Sequence, residues 1–344
     1  MDPVLYDSFD RLLSDISTPP VIREIESSGS ADALEQQIKE SGFADAMVAE
    51  DAGGAGLSLG EAFSLFFLCG RHALPLTLAP TIIARAVLAR QGVNVPEGGV
   101  AISNIPVGHR DNKIECRNVP HGKLVQWVIV PHAGVADAPV DLLLPVDKAE
   151  RVETGVNASL QVHLSWTDPR SVGVIVEGAY PWLEVAAAVT AAQMAGAMDS
   201  VLNMTVRYAG ERSQFGRPIA KFQAVQQQLS VLAELATASR VAAELGCQAA
   251  ADGTPNVLAA AVAKARASEA AGTVVSIAHA VHAAMGITEE YDLQLYTRRL
   301  IEWRTDYGSA GYWNRRVGDA VLSSDAPCTM EYMLPTYFPG SASD

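Results

Sequence analysis

The sequence is poor in positive charge: 25 Lys and Arg stand against 39 Asp and Glu in 344 residues, a formal net charge of −14. A chain of that sign has no general attraction for phosphate backbones or anionic lipid heads, so neither nucleic acid nor a membrane is an expected partner. Any anionic ligand must instead find Arg or Lys gathered at one place, or a helix N-terminus. Cysteine is scarce too. Cys69, Cys116, Cys247 and Cys328 lie far apart, with neither CxxC nor Cys/His spacing, which argues against a disulfide framework and a structural zinc and leaves no metal site expected. No window holds the ~18 uninterrupted apolar residues of a membrane span. The opening MDPVLYDSFD has no basic stretch leading into an apolar one, so the expected location is cytoplasmic.

Apolar residues are plentiful, at 49%, and the length suits two or three packed units, since single cores rarely grow beyond about 250–300 residues. Helix-like stretches such as Ser30–Ser41 and Leu59–Cys69, broken by Gly53-Gly54-Ala55-Gly56, predict a helical domain over residues 1–98. β-branched runs at Val100–Ile105, Val125–Val130, Val140–Leu144, Leu160–Trp166 and Val172–Val176 predict a small β domain over 99–178. Beyond Tyr180-Pro181 the pattern is helical again, with breaks near Gly210–Pro218, Asp252–Pro255 and Gly286–Thr288. It predicts a four-helix bundle over 179–322, with helices of around thirty residues, and then a tail over 323–344. The fold class is mainly α with a small β domain. Between Val185 and Val206 the only charge is Asp199; so apolar a helix should be covered on nearly all sides, in the centre of a bundle or at a subunit interface, and an oligomer is expected.

One run concentrates chemistry. Arg212-Ser213-Gln214-Phe215-Gly216-Arg217-Pro218-Ile219, then Phe222-Gln223, places a guanidinium beside a Gly- and Pro-bearing turn at the mouth of a new helix, an arrangement suited to pyrophosphate. The run resembles the R-x-x-F-G-x-x-[IL]-x-x-[FH]-Q motif of the acyl-CoA dehydrogenase family. A second stretch, from Lys264-Ala265-Arg266-Ala267-Ser268 through His282-Ala283-Ala284-Met285-Gly286 to Tyr296-Thr297-Arg298-Arg299, resembles the family's Q-x-H-G-G-x-G-x-x-x-E-x-x-L-x-x-Y-x-R-R segment. There Ala280 replaces the Gln, and Ala283-Ala284 replaces the glycine pair. Glu50–Ser58 resembles the family's Gly-rich N-terminal loop, whose glycines are read as turn formers.

The resemblance covers almost the whole chain. It implies an N-terminal helical domain, a middle β-barrel-like domain and a C-terminal four-helix bundle. It also implies FAD as cofactor, with Arg212, Gln214, Phe215, Gln223 and Gly286 as cofactor contacts, and an acyl-CoA substrate oxidised at its Cα–Cβ bond. Electrons would leave to an electron-transfer flavoprotein or similar acceptor. Two features depart from the family. The T-E-P-x-[AG]-G-S-D run of the middle domain is replaced by Ala101–Val107, and the two family positions for the catalytic Glu fall on Tyr307 and on Ala186 or Ala187. Glu184, Asp306 and Glu302 are the remaining candidate bases. Two readings stay open: a complete enzyme in a homo-oligomer, or a base-deficient partner in an α2β2 assembly with a complete subunit.

Overall fold

The computed structural model describes residues 3–94, 97–104, 108–110, 112–131, 140–176, 180–249 and 254–337. Contacts divide the chain into two compact units, one of residues 1–62 and 74–186, the other of residues 63–73 and 187–344.

The first unit opens with helices α1 (Pro3–Ile16), α2 (Pro19–Ser28) and α3 (Asp32–Ser41), and it contains α5 (Leu78–Arg90). α4 (Leu59–Arg71) begins in this unit and continues into the second. Ser58 and Glu61 form a reciprocal cap that starts α4: the Ser58 N–H donates to Glu61 Oε2 at 2.8 Å and the Glu61 N–H to Ser58 Oγ at 3.3 Å. Just before it, Gly53 and Gly56 take positive φ, as the turn-forming reading of that loop expects.

Two four-stranded sheets follow. The first has the order β1 (Val100–Ile102), β4 (Trp127–Val130), β5 (Asp141–Pro145), β8 (Val174–Val176), with β1 parallel to β4 and the remaining pairs antiparallel. The second is antiparallel throughout, in the order β2 (Gly108–Arg110), β3 (Lys113–Val119), β7 (Val162–Thr167), β6 (Glu150–Glu153). Ala101, Val128 and Leu142 from the first sheet and Ile114, Leu164 and Trp166 from the second share one buried core. All five expected strands are present; β2, β3 and β6 were not expected. The short helix α6 (Pro169–Val172) precedes β8.

The second unit holds α7 (Trp182–Glu211) from Ala187 onward, a hairpin of β9 (Ser213–Gln214) and β10 (Arg217–Pro218), then α8 (Gln223–Gly246), α9 (Val257–His282), α10 (Leu293–Trp303), α11 (Ala310–Leu322) and α12 (Thr329–Tyr337). Three bundle helices are long, as expected. The fourth is not one helix of around thirty residues but the pair α10 and α11, broken by a turn in which Tyr307 and Gly308 take positive φ.

The apolar run of α7 is covered by its own chain. A Cβ on Gly70 would fall 1.8 Å from the Gln193 carbonyl oxygen, and one on Gly196 would fall 1.9 Å from that of Phe67. Only glycine lets α4 and α7 cross this closely. Asp199, the lone charge, pairs with Arg71 at 3.6 Å. Of the two settings expected for so apolar a segment, the centre of a bundle is the one these contacts favour. α7 and α9 are both long and apolar enough to cross a membrane by length and composition, yet 83% of the α7 window is buried and only 39% of the α9 window.

Candidate functional site

The hairpin is built from its turn outward. Gln214 pairs with Arg217 and Ser213 with Pro218, leaving two tip residues, Phe215 at φ +52° and Gly216 at φ +79°. A two-residue loop with both φ positive matches the twist of the flanking strands. Glycine suits the second position, but phenylalanine at the first is strained. Phe215 is also 93% exposed, so its ring gains nothing from burial within this chain. The base of the hairpin is firm: the Arg212 N–H donates to the Tyr208 carbonyl at 2.8 Å, and the Ile219 N–H to the Arg212 carbonyl at 2.8 Å. Arg217 stacks over the Phe222 ring at 4.3 Å, a contact the sequence reading did not anticipate.

Arg212, Gln214 and Gln223 are exposed, and no carboxylate among the described residues pairs with Arg212. Gln223 is the first residue of α8, and Phe222 at the cap offers no side-chain acceptor to the N–H groups there. A free guanidinium, uncapped helix N–H groups and an exposed aromatic ring thus share one corner. That combination fits an anion carrying a planar apolar group, which a dinucleotide is.

Gly286 lies in the turn after α9. It is buried, and a Cβ there would meet His282 Cβ at 3.0 Å, His279 Nδ1 at 3.2 Å and Leu293 at 3.3 Å, so packing inside the chain accounts for this glycine. Ala283 takes φ +50° and ψ −132°, a region open to glycine and costing other residues about 1–3 kcal/mol. The backbone is thus glycine-like while the residue carries a methyl group. Beside it His282 is fully buried. Burial pulls its pKa down, with His279 adding to the effect and the hydrogen bond to Ala278 opposing it.

At the first family base position Tyr307 is buried, and burial, followed by the nearby Asp306 charge, pushes its phenol well above the ordinary tyrosine value. It is no base near neutrality. Its carbonyl accepts from Trp313 Nε1 at 2.9 Å. Lys264, fully buried in α9, donates to Trp303 O at 2.8 Å, Ser268 Oγ at 2.9 Å and Gly308 O at 3.1 Å. Burial draws the Lys264 ammonium down to about 7, against the opposing charge of Asp306. Asp306 is itself buried, so this candidate base sits inside a closed polar knot with Lys264. Glu302 is half-buried on α10; Glu184 is half-buried in the first turn of α7, within the first unit. Ala186 and Ala187 are buried and have no side chain able to take a proton.

In the middle region, residues 105–107 of the stretch replacing the T-E-P run lie outside the described residues. A cavity of about 580 Å³, lined by Glu35, Lys39, Asp45, Arg85 and Gln126 among others, opens at Gly98-Gly99, which is the opposite end of β1 from Ser103. Among the described residues no group of His, Cys, Asp and Glu is placed to hold a metal.

Residues 180–304 match the family model for the acyl-CoA dehydrogenase C-terminal domain. The acyl-CoA dehydrogenase IpdE2 of Mycolicibacterium smegmatis is 28% identical over 75% of this chain and 78% of its own length. Among solved structures, the Tcur3481–Tcur3483 steroid acyl-CoA dehydrogenase variant superposes with a TM-score of 0.79 at 26% identity, covering 92% of this chain and 96% of that one. Residues 180–304 thus carry the C-terminal domain of the acyl-CoA dehydrogenase family, and the chain as a whole has that family's fold. The ChsE4–ChsE5 complex of Mycobacterium tuberculosis shows the same fold, with a TM-score of 0.80 at 19% identity over 94% of this chain and 97% of that one. The matched family domain contains both the hairpin and the 283–287 turn.

Proposed function

We propose that this chain is a base-deficient subunit of a heteromeric FAD-dependent acyl-CoA dehydrogenase, lending its hairpin to a flavin whose catalytic carboxylate belongs to another chain. The observation that supports this most is the contrast within one helical unit. The hairpin holds Arg212 and Phe215 exposed, with the Phe215 ring touched only at 6.2 Å by that of Phe222, whereas the family's base position holds a buried Tyr307.

FAD, when bound, supplies the acceptor for the hydride leaving the acyl Cβ. Arg212 would pair with a phosphate, and Gln223 and the first N–H groups of α8 would face the same charge. Gln214 lies beside them on the hairpin, and Phe215 would exchange water for a ring or apolar surface. No group at the family base positions of this chain can remove the α-proton, so that proton falls to a carboxylate of the partner. Two of the similar structures are named for pairs of gene products, and one of these for a steroid acyl-CoA dehydrogenase. A CoA thioester carrying a steroid ring or side chain is the substrate class this favours.

The test is flavin content. Arg212→Ala should lower the absorbance near 450 nm per protein about tenfold in the assembled enzyme, the scale of one charge-assisted contact. Equal flavin content in variant and parent would refute the hairpin's role.

A further inference from the structure

The strained Ala283 backbone needs neighbours that hold it, since such conformations persist only where the surroundings over-determine them. His282 is placed to do this. Its ring stacks on Tyr208 at 4.5 Å and 27° and lies 5.1 Å from the Tyr291 ring. Nδ1 is 2.8 Å from the Ala278 carbonyl, which can only accept, so Nδ1 carries the proton. Nε2 is then left to accept from the Tyr291 hydroxyl at 3.2 Å. Tyr208 in turn donates its hydroxyl to the His282 carbonyl at 3.4 Å. The residue preceding the strain is therefore gripped at both ring nitrogens, on one ring face and at its backbone oxygen.

The same grip reaches the hairpin. Tyr208 lies one helical turn before Arg212 and its carbonyl takes the Arg212 N–H. We infer that His282, held between Tyr208 and Tyr291, is a positioning residue that keeps the strained Ala283 turn and the root of the Arg212 hairpin at a fixed separation. The flavin consequence rests on the proposed function; the clamp itself does not.

Hydrogen exchange on the flavin-free full chain tests the clamp. The reporter amides are Arg212, Ile219 and Thr288, each hydrogen-bonded to backbone. His282→Phe keeps a stacking ring and removes both ring hydrogen bonds; it should speed exchange at all three amides by about tenfold or more while amides in the middle of α8 stay protected. Tyr291→Phe, a milder change that serves if His282→Phe does not fold, should act on the same amides to a smaller degree. Ala283→Gly in the His282→Phe background should recover most of the lost protection, because glycine needs no clamp at that φ and ψ. Unchanged exchange at the reporter amides, or Ala283→Gly adding to the loss rather than reversing it, would overturn the inference. FAD titration of Arg212→Ala separately decides the reading it rests on: if Arg212→Ala weakens flavin binding and His282→Phe does not, the flavin consequence of the clamp fails while the hairpin role survives.

Discussion

The hairpin at 212–223 and the turn at 303–309 belong to the same helical unit and are built on opposite terms. At the hairpin Arg212, Gln214 and Phe215 are exposed; at the turn Asp306 and Tyr307 are enclosed, with Lys264 and Trp313 bonded to its backbone. A group meant for a ligand costs stability until the ligand arrives, and Phe215, strained and 93% exposed, has that character. Lys264, Asp306, Tyr307 and Trp313 have the reverse character: they are buried and hold the break between α10 and α11. Packing within the chain accounts for the second region, and the proposed flavin contact accounts for the first.

That contrast can be broken most forcefully at Lys264. Lys264→Met removes the donor to Trp303 O, Gly308 O and Ser268 Oγ and leaves those acceptors unsatisfied. At about 1–3 kcal/mol for each buried acceptor left unpaired, the expected loss is about 2–5 kcal/mol, read as a fall in the urea midpoint. The pH dependence sharpens the test. Burial lowers the Lys264 pKa from the ordinary lysine value of 10.5 to about 7 in the folded chain, so between these values the unfolded chain binds more protons and folded stability rises with pH. The parent should therefore gain on Lys264→Met between pH 7 and 9, and parallel stability curves would show that the ammonium is not buried as described.

Ala283→Gly comes next. Relief of about 1–3 kcal/mol of strain, less the ~0.5–1 kcal/mol that glycine's freedom costs, leaves a net gain of about 1 kcal/mol and a rise in Tm of roughly 2–4 °C. A lower Tm would mean the turn does not have the glycine-like backbone seen here. The smallest stability effect belongs to the hairpin tip. Phe215→Asn creates Asn-Gly, the preferred pair for a turn with both φ positive, and should stabilise the isolated chain by about 0.5 kcal/mol while lowering flavin content of the assembled enzyme. Undiminished flavin content in Phe215→Asn would mean the exposed ring serves something else.

Much of this was legible in the sequence, for reasons that differ by region. The hairpin could be read because its signal is contiguous: Arg212, Gly216, Pro218 and Gln223 shape one turn and one helix start. The five apolar strands were readable for the same reason. β3 and β6 were not, because KIECRNV and ERVE alternate charge with apolar residues, and all four residues of β6 are exposed. The burial of α7 was legible but not what covers it, since nothing in its own sequence says that Gly196 meets α4, more than a hundred residues earlier. The role of Lys264 was not legible, because it lies in an alanine-rich run and its acceptors Trp303 and Gly308 are some forty residues away. The clamp at His282 draws on Tyr208, 74 residues earlier, and no local pattern records it.

Dye reduction with a panel of acyl-CoA thioesters tests the central claim most directly, comparing the isolated chain supplied with FAD against the chain co-expressed with a complete acyl-CoA dehydrogenase subunit. The isolated chain should be slower by about 10²–10⁴, the usual consequence of a missing general base, with activity restored in the heteromer. Turnover by the isolated chain near ~10 s⁻¹, typical of enzymes, would contradict it and would make Glu184, Asp306 and Glu302 the carboxylates to replace.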